Sequence, residues 1–524
     1  MVFADPTSIQ VISADEGNFV PGVIIAGTGI DPTGAVSSKT AILALLAAAA
    51  TSAAVYFPAG IYNADGIDFG ARTIMAYGAK LTGSVAGSIC SVSGDGSKVK
   101  GLEVVNNYGA GCIGLDVSAG TSNVELTDGK FGGTNAQGLN VANPGIKHIT
   151  ATSCRFDGVN YGVLTNAGAG TGAYDLQDVK VIGCTFLNIG GDAIEFNHPQ
   201  GVGGSPYLAT DFAVIGCYIS SSSTSSGAGF GVGAAGVARL RILANTFVGC
   251  TQQAIHLEDK CRDATISGNS VEGGGTLAGS SFPAGIFVAD TENFIVTGNT
   301  VHGVAGSGIW AAFDASHQCY DGVITGNTVR GCSGTGIRAY FTTAGDSTVS
   351  GNTSIGNGGD GIDASGPNML VTGNTCKNNA GYGIRGTKFP GMVVTGNTSQ
   401  GNTGGNYQPQ AYPQPIAGES TTGTFAYGGA GNIGPFNLLS LGKMASGRLS
   451  VSVDKGGDNV TNLFKLDWDG TTLTTTLVGG VANGGMGATV ALSMSGQTLQ
   501  GTVFNAGGAA TARISAQLDG LFFP

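Results

Sequence analysis

Five of the ten residues in AIHLEDKCRD (254–263) are charged, in a chain whose Asp, Glu, Lys and Arg amount to only 11%. Glu258 and Asp259 stand there beside His256 and Lys260. Further along come Asp290 and Asp314, and upstream lies Glu195. Paired carboxyl groups can cleave a glycosidic bond, one donating a proton and the other activating water or attacking directly. Like charges held close together push one pKa upward, which suits an acid catalyst. The same stretch permits a different chemistry. β-Elimination needs a base and a cation to neutralise a substrate carboxylate, and His256, Lys260, Arg338 and Tyr340 are of those types. Asp259 and Asp290 could instead hold Ca²⁺ through oxygen ligands. No EF-hand loop and no His spacing typical of zinc is present, so no cofactor is expected, with Ca²⁺ as the minor alternative.

Such residues act together only if the chain brings distant positions side by side, and a repeat does this. From residue 242 the sequence reads ILANTFVGC, ISGNSVEGG, VTGNTVHGV, ITGNTVRGC, VSGNTSIGN, VTGNTCKNN and VTGNTSQGN, with Asn245, Asn269, Asn299, Asn327, Asn352, Asn374 and Asn397 aligned. Cys154, Cys184 and Cys217 take the same position upstream. Each unit shows two short strand patterns, a VTGNT type and a G-I type such as GSGIWAAF or GTGIRAY. One unit cannot bury its apolar side, but stacked units can. Units of this length predict an all-β solenoid, a right-handed parallel β-helix. The Asn column is then a ladder of stacked amides, and the cysteines are buried thiols.

Alternation within the second strand sorts its faces. Phe196, Leu257, Val288, Ala311, Ala339, Ala364 and Gly386 should point inward, and all are apolar or small. Glu195, His256, Phe287, Trp310, Arg338, Asp363 and Arg385 should point outward. Asn197, Glu258 and Tyr340 face the same way two residues on, and Asp259 and Asp290 share a register on neighbouring coils. The outward column therefore mixes carboxylates, His and Arg with Phe287, Trp310 and Tyr340, a surface suited to stacking and hydrogen-bonding sugar rings. A solvated sheet face or a subunit contact would also account for it.

The ends differ from the repeat. Residues 37–50, SSKTAILALLAAAA, predict a short helix with a Ser cap, placed to plug the first coil. The expected organisation is an N-terminal segment at 1–36, a β-helix with its capping helix at 37–405, a Pro/Gln linker at 406–420, and a β-sandwich-like domain at 421–524 for trimerisation or carbohydrate binding.

The helix followed by YFPAGIY (56–62) and Asn-rich coils resembles the pectate-lyase-like superfamily, and in layout its bacteriophage tailspikes and capsular polysaccharide depolymerases. The opening departs from that family, with SSKT where Asp-rich residues are usual. The resemblance implies a homotrimer on a virion tail, made in the host cytoplasm and acting at the bacterial surface on a capsule, exopolysaccharide or O-antigen. GGDAIE (190–195) is similar to the Asp-bearing strand of polygalacturonase-type hydrolases, but GGDGID (358–363) repeats it, so Asp192 and Asp360 are read as turn residues.

Composition narrows the partners. A net charge of −11 without a basic run argues against nucleic acid. No apolar run is long enough to span a bilayer, and MVFADPTSIQ has neither a basic nor an apolar leader region. The expected activity is glycoside hydrolysis of a polysaccharide. A polysaccharide lyase or epimerase, secreted by a bacterium, and a non-catalytic adhesin are the alternatives.

Overall fold

The computed structural model describes the backbone of residues 9–522 apart from segments that include 13–18, 166–175, 199–208, 312–318, 342–345 and 409–419, and side chains within 22–408. Three long sheets run the length of the coil stack, with nearly every strand parallel to its neighbour one coil away. Each complete coil contributes three strands, one more than the sequence patterns suggest. The extra strand arises because the VTGNT pattern is broken at its Gly-Asn pair. Ile295–Thr297 belongs to the first sheet and Thr300–His302 to the second, and Gly298 between them adopts φ +63°. Only a residue without Cβ takes this conformation readily, so glycine sets the corner.

Asparagine holds that corner. Asn299 donates from Nδ2 to Asn327 Oδ1 at 3.0 Å and to the Ile266 carbonyl at 3.0 Å. Its own Oδ1 accepts from the backbone N–H and the Nδ2 of Asn269. The pattern repeats from Asn245 to Asn397. Upstream, the thiols of Cys184 and Cys217 accept the N–H of Cys154 and Cys184. All ten cysteines are buried and unbridged. A shorter second ladder, Asn357–Asn379–Asn402, turns the next corner.

The core is the column between the sheets. Phe131, Phe156 and Phe186 stack with centroids 4.9 and 4.7 Å apart, and the expected inward residues from Phe196 to Ala364 are buried. The helix spans Lys39–Ala48 and buries Ile42 and Leu46 against the first coils. Ser38 occupies the N-cap position, but its hydroxyl makes no capping bond. It accepts the Asp31 N–H at 2.8 Å instead. At the other end of the helix Arg72 donates to the carbonyls of Leu46 and Ala49. Parallel pairing reaches back to Phe19–Ile24 and Thr33–Ser37, upstream of residue 37. Beyond the coils, strands from Ser420–Tyr427 to Ala510–Phe522 form two antiparallel sheets of five and three strands.

Candidate active site

The third sheet carries the outward column, and its register fixes the order of side chains along the coil axis. Glu195 pairs with Gly233, Gly233 with His256, His256 with Phe287, Phe287 with Trp310, Trp310 with Arg338, Arg338 with Asp363 and Asp363 with Arg385. A second column, Asn197–Ala235–Glu258, runs beside it. The alternation argument therefore holds, with one coil added, that of Val232–Ala235.

That added coil shapes the acidic end. A Cβ on Gly233 would come within 3.3 Å of the Phe230 ring. Phe230 stacks on His256 with centroids 4.3 Å apart, and Phe287 closes on the imidazole at 5.1 Å. His256 is thereby 7% exposed, and among the described residues neither ring nitrogen has a hydrogen bond of good direction. Its Nε2 nevertheless lies 3.0 Å from Glu258 Oε2, an ion-pair distance with poor hydrogen-bond alignment.

Asp192, 3% exposed, lies at the base of this group. Its Oδ1 accepts the backbone N–H groups of Gly229 and Phe230 at 2.7 and 2.8 Å. Burial pushes its pKa up to about 7 against those two bonds, and the negative charges of Glu195 and Glu258 add to the rise. Burial also raises Glu195, opposed by the Asn197 amide at 3.3 Å and helped by the charge of Glu258. Tyr161 is pushed up to about 12 by burial and by Glu195 and Asp192. Asp192 thus fixes the backbone of Phe230, Phe230 braces His256, and His256 meets Glu258. Sequence reasoning set Asp192 aside and missed Phe230 and Tyr161. The similarity of GGDAIE to a hydrolase strand was the available signal.

The other expected residues are placed differently. Phe287 is buried, at 2% exposed, where an open stacking surface was expected. Phe282 lies over it at 5.4 Å and Trp310 meets it edge-on at 5.9 Å. Alternation tells which side of a strand a residue takes, but not which loop folds back over it. Asp259, Lys260 and Asp290 leave the strand face, with φ +50°, +64° and +44° in the turn after it. Asp314 lies outside the described residues. Arg338 lays its guanidinium over Trp310 at 4.4 Å and beside Tyr340 at 5.7 Å. The Tyr340 hydroxyl donates to Asp363 Oδ2. Among the described residues no group of three or more His, Cys, Asp or Glu could hold a metal ion.

A family model described as "Right handed beta helix region" matches residues 168–320 and 283–408. The fold is a right-handed parallel β-helix. No curated protein matches the chain in sequence. Among solved structures, the chain is similar to the tailspike protein of E. coli bacteriophage HK620, at 13% identity over 98% of this chain and 97% of that one, with a TM-score of 0.44. It is also similar to an α-1,3-glucanase catalytic unit from Streptomyces thermodiastaticus, at 15% identity over 76% and 71%, with a TM-score of 0.43. A third is the A-module of the mannuronan C-5 epimerase of Azotobacter vinelandii, at 13% identity over 74% and 99%, with a TM-score of 0.37. At these identities the likeness is one of fold.

Proposed function

We propose that this protein is a depolymerase that hydrolyses glycosidic bonds of a bacterial surface polysaccharide, acting as a homotrimeric tailspike on a phage tail. The observation that carries the hydrolase reading is the grouping of Asp192, Glu195 and Glu258 at one end of an outward column that continues into Trp310, Arg338 and Tyr340. Their environments differ in the manner that acid–base chemistry needs. Burial favours the protonated form of Glu195, which is assigned as proton donor. Glu258 faces His256 and is assigned as the base that activates water. Asp192 is a positioning residue, since it acts through Phe230 and His256.

Glu195 and Glu258 lie on coils separated by one intervening coil. At about 4.8 Å per coil and ~3.3 Å per residue, with Glu258 two residues further along its strand, their backbones are roughly 12 Å apart. Side chains that lean together bring this toward the roughly 6.5–9.5 Å of inverting enzymes rather than the ~5 Å of retaining ones. Asp259 and Asp290 are assigned a secondary place, at the rim with Lys260, because their turn conformation already explains Asp at both positions.

The test is digestion of purified capsular polysaccharides, exopolysaccharides and O-antigens, with reducing ends and the ultraviolet absorbance of unsaturated uronate followed together. New reducing ends without the ultraviolet signal, released as the inverted anomer by proton NMR, are expected. Both signals rising together would mean β-elimination and move the chemistry to His256, Lys260, Arg338 and Tyr340. A polymer bound and left intact would mean an adhesin.

A further inference from the structure

Three coils beyond His256, the outward column changes character. Arg338 is half-buried and its guanidinium rests on Trp310 at 4.4 Å and near Tyr340 at 5.7 Å. Its Nε is sealed from solvent without a hydrogen-bond partner among the described residues. A donor left unmade is costly, and since this one is closed to solvent only an acceptor within the fold could meet it, which leaves the terminal nitrogens for a ligand. The carboxylate best placed to supply one is Asp363, the register neighbour of Arg338. Asp363 gives its Oδ2 to the Tyr340 hydroxyl instead, and shares its charge between Arg338 and Arg385. Arg385, the next residue in the column, stands exposed on the far side of Asp363 and reaches Asp360 at 3.3 Å. The result is a guanidinium placed over the Trp310 ring and beside Tyr340, positioned before any ligand arrives. Its planar fork suits a carboxylate with two oxygens.

We propose that Arg338, backed by Trp310 and Tyr340, is a subsite for the carboxylate of an acidic sugar in the substrate chain, with Arg385 extending it. The proposal rests on the polysaccharide reading above and narrows it to anionic polymers. The site lies about 14 Å along the coil axis from His256, at roughly 4.8 Å per coil. The acidic sugar is therefore bound away from the bond that Glu195 and Glu258 would cut, and recognises the chain without taking part in cleavage.

Trp310 reports on this site directly. The chain has two tryptophans, and Trp468→Phe leaves Trp310 as the sole emitter. Sodium glucuronate, glucose and sodium sulfate are titrated into that protein at constant ionic strength. A saturable change in Trp310 emission with glucuronate alone is expected, weakened at least tenfold in Arg338→Gln. Arg338→Lys keeps the charge, loses the fork and should fall between, and it replaces Arg338→Gln if that variant does not fold. No saturable response up to the solubility limit, an equal response to glucose or sulfate, or a response that survives loss of the guanidinium would overturn the subsite. Cleavage separates the two readings. Glucuronate bound while no polymer is cut would end the depolymerase reading and leave the subsite standing. An acidic polymer cut equally fast before and after reduction of its carboxyl groups would do the reverse.

Discussion

GGDAIE and GGDGID open two coils of the same sheet, and their carboxylates meet opposite surroundings. In both, the Asp accepts backbone N–H from the next coil. Asp192 takes those of Gly229 and Phe230, and Asp360 takes that of Tyr382. In both, an acid follows three residues later on the outward column. Glu195 is flanked in register by Leu164 and Gly233, whereas Asp363 is flanked by Arg338 and Arg385. The charges acting on Asp192 are those of Glu195 and Glu258, both negative. Asp360 has Arg385 at 3.3 Å. One motif therefore builds a cluster of acids, and the other a cluster in which acids and arginines balance. Register neighbours decide the role, and the local motif does not.

The largest expected effect tests that contrast in activity. Glu258→Gln and Glu195→Gln should each lower kcat by about 10²–10⁴, the usual contribution of a positioned acid or base. Asp363→Asn should cost less than tenfold. Reducing-end release from the cognate polymer measures all three. An equal loss in Asp363→Asn would erase the distinction between the two coils.

Next in size is a pH effect on stability centred on Asp192. Asp192 has a folded pKa of about 7, above its ordinary value. The neutral form is therefore favoured in the fold. The resulting stability is full below about pH 4 and is lost as pH rises through about 7. A rise of some three pKa units corresponds to at most about 4 kcal/mol. Both N–H bonds fall on Oδ1, an arrangement a neutral carboxyl satisfies with its carbonyl oxygen while Oδ2 keeps the proton. Asn preserves that acceptor. Asp192→Asn should match the wild type in Tm at about pH 3.5 and exceed it at about pH 7.5, the gap opening between about pH 4 and 7 and then levelling. Parallel melting curves at both pH values would mean that Asp192 titrates normally.

Most of the scaffold was legible in the sequence because its signals are periodic. The Asn ladder, the inward residues and the order of the outward column all follow from a repeat and a two-residue alternation. The coil of Val232–Ala235 escaped because GFGVGAAGVA has no Ile to mark its strand and no GNT to mark its corner. With it went Gly233, Phe230 and the reason His256 is enclosed. Phe282 escaped for a related cause. It sits in a stretch between strands, and periodicity says nothing about where such a stretch folds. Asp192 shows a different limit. Its turn role was read correctly, but burial and neighbouring charge, which set its chemistry, come from coils 37 and 66 residues further along the chain, at Gly229 and Glu258.

Removing the two turn carboxylates compares the coils as structures. Asp192→Ala takes the acceptor from one buried and one part-buried N–H group, and Asp360→Ala from one part-buried group. Each unsatisfied group costs about 1–3 kcal/mol. Asp192→Ala should therefore be the more damaging in urea denaturation at pH 5, where its carboxyl is largely neutral and charge repulsion does not mask the loss. If Asp360→Ala proved worse, the ion pair with Arg385 would outweigh the backbone bonds, and the second coil would owe its order to charge.

The smallest effect isolates the Tyr340 hydroxyl. Asp363 is 3% exposed, and burial raises its pKa while the Tyr340 hydroxyl and both arginines lower it. Tyr340→Phe removes only the hydroxyl, keeps the ring beside Arg338, and should cost about 1–2 kcal/mol. The sign of its pH dependence is informative. Without that donor Asp363 ionises less readily in the fold, so the variant's deficit should grow as pH rises through the carboxylate range and shrink in acid. A deficit that stayed constant with pH would mean that the hydroxyl contributes packing alone, and that Arg338 and Arg385 suffice to hold the Asp363 charge.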